Sequence, residues 1–470
     1  MHVENKHDYV SIIIKRMDEM MEKRSQFSTK LGFVLAAAGS AVGLGNIWRF
    51  PYLTAKYGGG MFLLVYIILT VTFGFTIMIA EIAIGRKTRL SPIGAYQKLN
   101  QKYKFIGVIT ALIAFLILSY YAVIGGWVVK YLAEFLSGKY AQAAQDNFFA
   151  EYTAQVAEPI FWQFLFIIAT GGIVFFGVKN GIERVSRFLM PILILLSICI
   201  AVYSITLPGA GEGVKYFLIP HPSDFSVQTV LAALGQMFYS LSLAMGIMIT
   251  FGSYLPAETD MEKSVKQIEI FDTVIAVLAG LMIVPAVFAF SGGDRQALNA
   301  GPQLMFVTLP KVFERMGMST FIGSVFFLLV FLAALTSAIS LMEACVSTLC
   351  DNLKMNRRVS VIIITILVFL LGIPASLGYG LWDNIKLISF SILDFMDFLT
   401  NSILMPVVAL LTCIFVAYVI KTPTIIDEVK RSSSFHREKM FSVMIKYIAP
   451  ICIIAILVTS ILDAFGIVKL

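Results

Sequence analysis

Residues 39–52 read GSAVGLGNIWRFPY and interrupt an apolar run that is otherwise long enough to cross a bilayer. Gly39, Gly43 and Gly45 precede Asn46, Arg49 and Pro51, and two physical readings compete. Small residues spaced as Ala36, Gly39 and Gly43 allow two membrane helices to pack closely. Alternatively the backbone unwinds: glycine permits it, freed carbonyls suit a hard cation, and the N–H groups opening the next half-helix suit a carboxylate. Unpaired backbone groups in hydrocarbon cost several kcal/mol each, so unwinding persists only where a cavity or ligand satisfies them. A second interrupted stretch, GQMFYSLSLAMG at 235–246, lies five candidate helices further on and favours the unwound reading. An odd offset places the second copy upside down, as in an inverted repeat with broken helices at matching positions.

Composition agrees with a membrane setting. Hydrophobic residues make up 58% of the 470 and charged residues 14%, with a mean hydropathy of +0.85, far from a soluble globular chain. The net charge of +7 does not imply nucleic acid, because Lys and Arg concentrate in short loops between spans. Cys199, Cys345, Cys350, Cys413 and Cys452 show no CxxC spacing, so neither a zinc site nor a disulfide framework is expected.

The pattern predicts an all-α integral membrane protein of about eleven spans by the length rule. They are expected at 31–55, 61–85, 105–136, 159–177, 185–206, 227–254, 268–291, 319–349, 359–376, 390–420 and 440–466. Residues 1–30 read as a cytoplasmic tail and 31–420 as a ten-helix core whose repeats cover 31–206 and 227–420; 421–470 supply a cytoplasmic loop and an eleventh helix. The tail and the loops GRKTRLSPIGAYQKLNQKYK, VKNGIERVSR, DNLKMNRRVS and KTPTIIDEVKRSSSFHREK share one side if the spans alternate, which puts the N-terminus inside. The segment 292–317 is expected to fold over the outer mouth.

LGFVLAAAGSAVGLGNIWRFPYLTAKYGGGMFLLVYIILT at 31–70 resembles the first two helices of the neurotransmitter:sodium symporter family. The resemblance continues through SYYAVIGGW, GQMFYSLSLAMG, LAALTSAIS and LDFMDF, and covers nearly all of 24–420. It implies a sodium-coupled symporter working by alternating access, with two sodium ions and no catalytic residues. One sodium site would use the Ala41 carbonyl, Asn46, Ser240 and Asp272, completed by the substrate carboxylate; the other would use the carbonyls of Gly39, Val42 and Ala333 with Thr336 and Ser337. All are oxygen donors suited to a hard cation. For Thr336 and Ser337 a plain bond back to their own helix is the competing reading.

In chloride-dependent relatives an anion is held by a Tyr, a Gln and two Ser, matched here by Tyr66, Gln236, Ser240 and the position of Ala276. The last lacks the hydroxyl, and a fixed carboxylate at Asp272 would replace the anion, so no chloride requirement is expected. Glu81 is expected to brace the unwound first helix. Gly43, which stands where monoamine-transporting relatives have Asp, leaves room for a substrate carboxylate beside sodium and points to an amino acid. Tyr121 and the N–H groups of Leu44 and Gly45 would meet that carboxylate, and carbonyls of Tyr239 and Ser242 the amine. Ile117, Tyr239, Met245, Ser340 and Leu341 would surround a neutral, bulky hydrophobic or aromatic side chain, with Ala41, Ser240 and Ser337 completing the walls. Ala244, where a close bacterial relative has Gly, would narrow the pocket. Arg49 and Asp397 would close the outer path through a water-mediated bridge, and Arg24, Asp351, Ser253 and Tyr254 the inner one, with Phe27 replacing a frequent Trp.

The absence of paired cysteines from the outer loop 137–158, the short tails and the missing twelfth helix point to the bacterial plasma membrane, as monomer or homodimer. A channel or sodium-dependent sensor using the same pocket is the alternative. An enzyme is not supported, since His2, His7, His221 and His436 are scattered and no nucleophile, base and oxyanion arrangement is visible.

Overall fold

A computed structural model describes residues 25–292 and 302–464. The bundle is built of α1 (Lys30–Ala41), α2 (Gly45–Lys56), α3 (Gly60–Thr88), α4 (Gln101–Leu136), α5 (Ala157–Phe175), α6 (Val178–Ile205), α7 (Val227–Ser240), α8 (Ile247–Ser253), α9 (Met261–Ser291), α10 (Ser319–Leu353), α11 (Arg357–Leu377), α12 (Ile392–Val419) and α13 (Glu438–Ala464). Short helices such as Ala210–Leu218 and Thr422–Lys430 lie in the connections. The described residues contain no β-strand, only one isolated bridge between Leu387 and Phe390.

Nine of these helices are long and apolar enough to cross a membrane, and the α1/α2 pair, bent by 52° at its break, makes a tenth. The expected number of about eleven is reached only by counting α7/α8 as well, whose pieces of 14 and 7 residues are each too short to span. Each half thus opens on an interrupted segment followed by four unbroken helices. The expected boundaries shift outward where caps or wide turns extend a helix. Asp260 caps α9 by accepting the Lys263 N–H at 2.9 Å, and VKNGIE, expected as a turn, winds as a wide π-type turn into α6.

The burial of each helix follows its composition. In α10 83% of the most apolar window is buried, whereas in α6 and α13 the share is 33%, so α10 sits centrally and the other two face lipid. Along α10 pack α4, α1 and α11. Close approach comes from bare backbone: a Cβ on Gly85 of α3 would lie 1.9 Å from the Ile249 carbonyl oxygen, and one on Gly252 of α8 would lie 2.4 Å from that of Ile82. The two helices meet through these glycines.

Candidate functional site

Both interruptions face each other at the centre of the bundle. The first break follows Ala41, where Val42 turns extended while its N–H still reaches the Ala38 carbonyl at 2.8 Å. Asn46 then ties the bend, its Oδ1 accepting the Gly43 N–H at 3.2 Å. The second break, 241–246, holds Ser242, Ala244 and Gly246 at φ of 53°, 60° and 81°, a left-handed path that ends α7. Glu81 of α3 accepts the Ala244 N–H at 2.9 Å. The expectation for Glu81 is therefore corrected. It braces the second break and not the first, because α3 runs beside α8 and brings the carboxylate to the N–H that the left-handed turn leaves free.

Asp272 of α9 is fully buried. Its Oδ1 accepts Ser240 Oγ at 2.6 Å and Asn46 Nδ2 at 2.9 Å, and its Oδ2 accepts the Tyr66 hydroxyl at 2.6 Å. No cationic side chain among the described residues pairs with it, so a buried negative charge is held by neutral donors only. Asn46, Ser240 and Asp272 of the expected first cation set thus meet in one cluster, with the Asn46 Oδ1 engaged by the Gly43 N–H and its Nδ2 facing Ser240 and the carboxylate. Gln236, one turn before Ser240 on α7, donates to the Gly45 carbonyl at 3.0 Å.

Of the second expected cation set, Ser337 meets the carbonyls of the first break, while Thr336 bonds within its own helix. Ser337 Oγ lies 3.4, 3.0 and 3.4 Å from the carbonyl oxygens of Gly39, Ser40 and Val42, at the open end of α1. Thr336 turns back to the Leu332 and Ala333 carbonyls of its own helix, at 3.1 and 3.0 Å. Ser40, absent from the expected ligands, thus joins this cluster. Its signal in the sequence is only its place inside the glycine run.

Between the breaks lies a narrow cavity of about 30 Å³. Of the thirteen residues expected around the substrate, twelve line it: Ala41, Gly43, Leu44, Gly45, Ile117, Tyr121, Tyr239, Ser240, Ser242, Met245, Ser337 and Leu341. Ser40, Asn46 and Ile247 complete the lining, and no formally charged side chain contributes. Ser340 faces away, donating to the Thr336 carbonyl at 3.0 Å. The Tyr121 hydroxyl accepts the Leu44 N–H at 3.3 Å. A Cβ on Gly43 would lie 2.6 Å from Ser337 Oγ and 3.1 Å from the Tyr121 hydroxyl, so this position has room for hydrogen only.

On one side of the cavity Arg49 and Asp397 line a larger cleft of about 560 Å³. They form no direct ion pair. Arg49 lies 5.5 Å from the ring centre of Tyr239, and Asp397 accepts Asn401 Nδ2 at 2.6 Å. On the other side Phe27 is wedged against Phe33, Phe251 and Tyr254, with ring centres 5.6, 5.6 and 6.2 Å away. The Phe27 N–H donates to the Tyr254 carbonyl at 3.2 Å. Asp351 accepts the Ser91 N–H at 2.6 Å, while Arg24, its expected partner, lies outside the described residues. Sequence reasoning missed Glu343, buried in α10, which accepts the Tyr254 hydroxyl at 2.6 Å and binds Arg357 through both oxygens. An acid inside a span was the available signal.

A bundle of this kind, with irregular backbone tolerated only around a central buried cluster, defines a multi-pass membrane transporter. More particularly, the chain belongs to the sodium:neurotransmitter symporter family, whose pattern matches residues 24–156 and 151–467. It is a sodium-dependent symporter by that membership, not an enzyme. It is 37% identical over 445 residues to the sodium-dependent transporter YhdH of Bacillus subtilis, covering 93% of this chain and 97% of that one. A sodium-dependent transporter of Haemophilus influenzae is 35% identical over 459 residues, covering 93% and 98%. The crystal structure of MhsT in complex with L-phenylalanine superimposes with a TM-score of 0.84 at 38% identity, covering 93% of this chain and all of that one.

Proposed function

We propose that the protein imports a neutral, bulky hydrophobic or aromatic amino acid together with two sodium ions, without need of chloride. The observation that carries this reading is the bare backbone at Gly43 beside the Asp272 cluster. In this reading the substrate carboxylate enters between Tyr121 and the first cation site, where Gly43 brings no side chain of its own, and it would complete the cation's oxygen shell. The uncharged lining supports a neutral side chain, since a charged one would be desolvated without a partner. Flexible Met245 accommodates a large group, and the phenylalanine bound by MhsT supports the same size class.

Asp272 takes the place of chloride in this reading, its carboxylate held by the same Tyr66 and Ser240 hydroxyls that an anion would engage. The first sodium is held by Ala41, Asn46, Ser240 and Asp272, the second by Gly39, Val42, Ala333, Thr336 and Ser337. Sodium and substrate each raise the other's affinity by linkage. Arg49 with Asp397 closes the outer path, and Phe27, Tyr254 and Asp351, with Arg24, the inner one. The halves 31–206 and 227–420 act as inverted repeats that rock about the cavity. Positive loops hold the N-terminus inside a bacterial plasma membrane.

The test is uptake of a panel of labelled amino acids into proteoliposomes under an imposed sodium gradient, with chloride replaced by gluconate in half the samples. Concentrative uptake of a bulky neutral amino acid in gluconate is expected. Sodium-driven uptake that vanishes with chloride would overturn the role of Asp272. Dissipation of a substrate gradient without accumulation would favour a channel, and uptake of a charged amino acid alone would overturn the pocket reading.

A further inference from the structure

The cavity, the gates and the cation clusters leave one charged feature unused. Beside the N-terminal end of α1 an open cleft of about 440 Å³ is lined by Ser28, Lys179, Asn180, Glu183, Arg184, Arg187 and Phe188. Three of these are cations and one is an acid, and the acid is engaged. Glu183 is buried and accepts the Ser28 N–H at 2.8 Å and the Thr29 hydroxyl at 3.4 Å, and it pairs with Arg187. Arg187 also donates to the Thr29 hydroxyl, at 2.6 Å. Lys179 and Arg184 are exposed and have no anionic partner among the described residues.

The cleft therefore carries two uncommitted positive charges and the open edge of a third. Phe188, which lines the cleft, is 68% exposed. An exposed ring beside two cations at the end of a span suits a phospholipid, with acyl chain against the ring and phosphate among the cations. A free anion would gain nothing from the exposed ring.

We propose that this cleft binds the phosphate headgroup of an anionic phospholipid through Lys179 and Arg184, with Phe188 against its chains. The inference rests on the membrane fold and not on the identity of the substrate.

The experiment places the purified full chain in mixed vesicles of phosphatidylcholine and phosphatidylglycerol and counts the lipids retained on release into native mass spectrometry. The wild type is expected to retain phosphatidylglycerol in preference. Lys179→Gln with Arg184→Gln lowers that preference about 25-fold, from the loss of two interfacial charges. Lys179→Arg with Arg184→Lys keeps it, and Lys102→Gln with Lys104→Gln, which removes as much charge at the start of α4, leaves it unchanged. Retention equal in the first variant and the wild type, or lost equally in the control, would overturn the proposal. Inorganic phosphate that displaces the lipid fully would reassign the cleft to a free anion. A second measurement needs no variant: phosphatidylglycerol should slow acetylation of Lys179 by a neutral water-soluble reagent but not that of Lys102. Equal rates at Lys179 with and without it would sink the idea.

Discussion

Asp272 is the residue on which the proposed ion requirement turns. Its charge is buried with neutral donors on three sides, so its removal leaves Tyr66 and Ser240 hydroxyls aimed at nothing negative. Asp272→Asn is expected to lower sodium-driven uptake in gluconate at least about tenfold, as charge-assisted bonds are lost. Adding Ala276→Ser supplies the absent hydroxyl, and uptake should then return in chloride only. A double variant indifferent to chloride would contradict the substitution of carboxylate for anion. At Gly43 the argument is steric. Gly43→Ala places a methyl group 2.6 Å from Ser337 Oγ, an overpacking of roughly 1–3 kcal/mol, and is expected to weaken substrate affinity in equilibrium binding about tenfold or more.

At the scale of the element, the second break depends on a brace from another helix. The Ala244 N–H is buried and its acceptor is Glu81, so Glu81→Leu leaves an unsatisfied donor and should destabilise the purified protein by about 1–3 kcal/mol. Glu81→Gln keeps an acceptor in place and should fall nearer the wild type in thermal unfolding. Equal losses in the two variants would mean that the brace is not the hydrogen bond. How α3 reaches this break was not legible in the sequence. Glu81 stands out as a buried acid, but which break it serves depends on the packing of Gly85 and Gly252 backbones, and both breaks carry free N–H groups that would welcome a carboxylate.

Across the whole molecule the two sides of the cavity are closed to different degrees. Arg49 and Asp397 share a wide cleft without direct pairing, whereas Phe27 packs with three aromatic rings on the opposite side. That packing is worth more than its area because edge-to-face pairs add roughly 0.5–1.5 kcal/mol each. Phe27→Ala is thus expected to shift the population toward an open inner path. A cysteine introduced at Ser253, buried beneath Phe27's neighbours, should react with a water-soluble thiol reagent several-fold faster in the Phe27→Ala background, and sodium should slow the reaction. An unchanged rate would show that the aromatic wedge does not hold the path closed.

Apolar run lengths, the positions of the two interruptions and the residue types inside them were determined by the sequence itself, because a bilayer leaves few solutions for backbone polar groups and every exception must be local and visible. The twelve cavity residues could accordingly be named from the chain, helped by the motifs they sit in. Tertiary structure alone decided which partner each polar group takes. Gln236 meets the Gly45 carbonyl, Ser40 joins the Ser337 cluster, Glu81 serves the second break and Glu343 clamps Arg357 beneath Tyr254. Those pairings join residues up to hundreds of positions apart, and they follow from helix crossings set by small residues and side-chain volume, quantities that no local stretch of sequence contains.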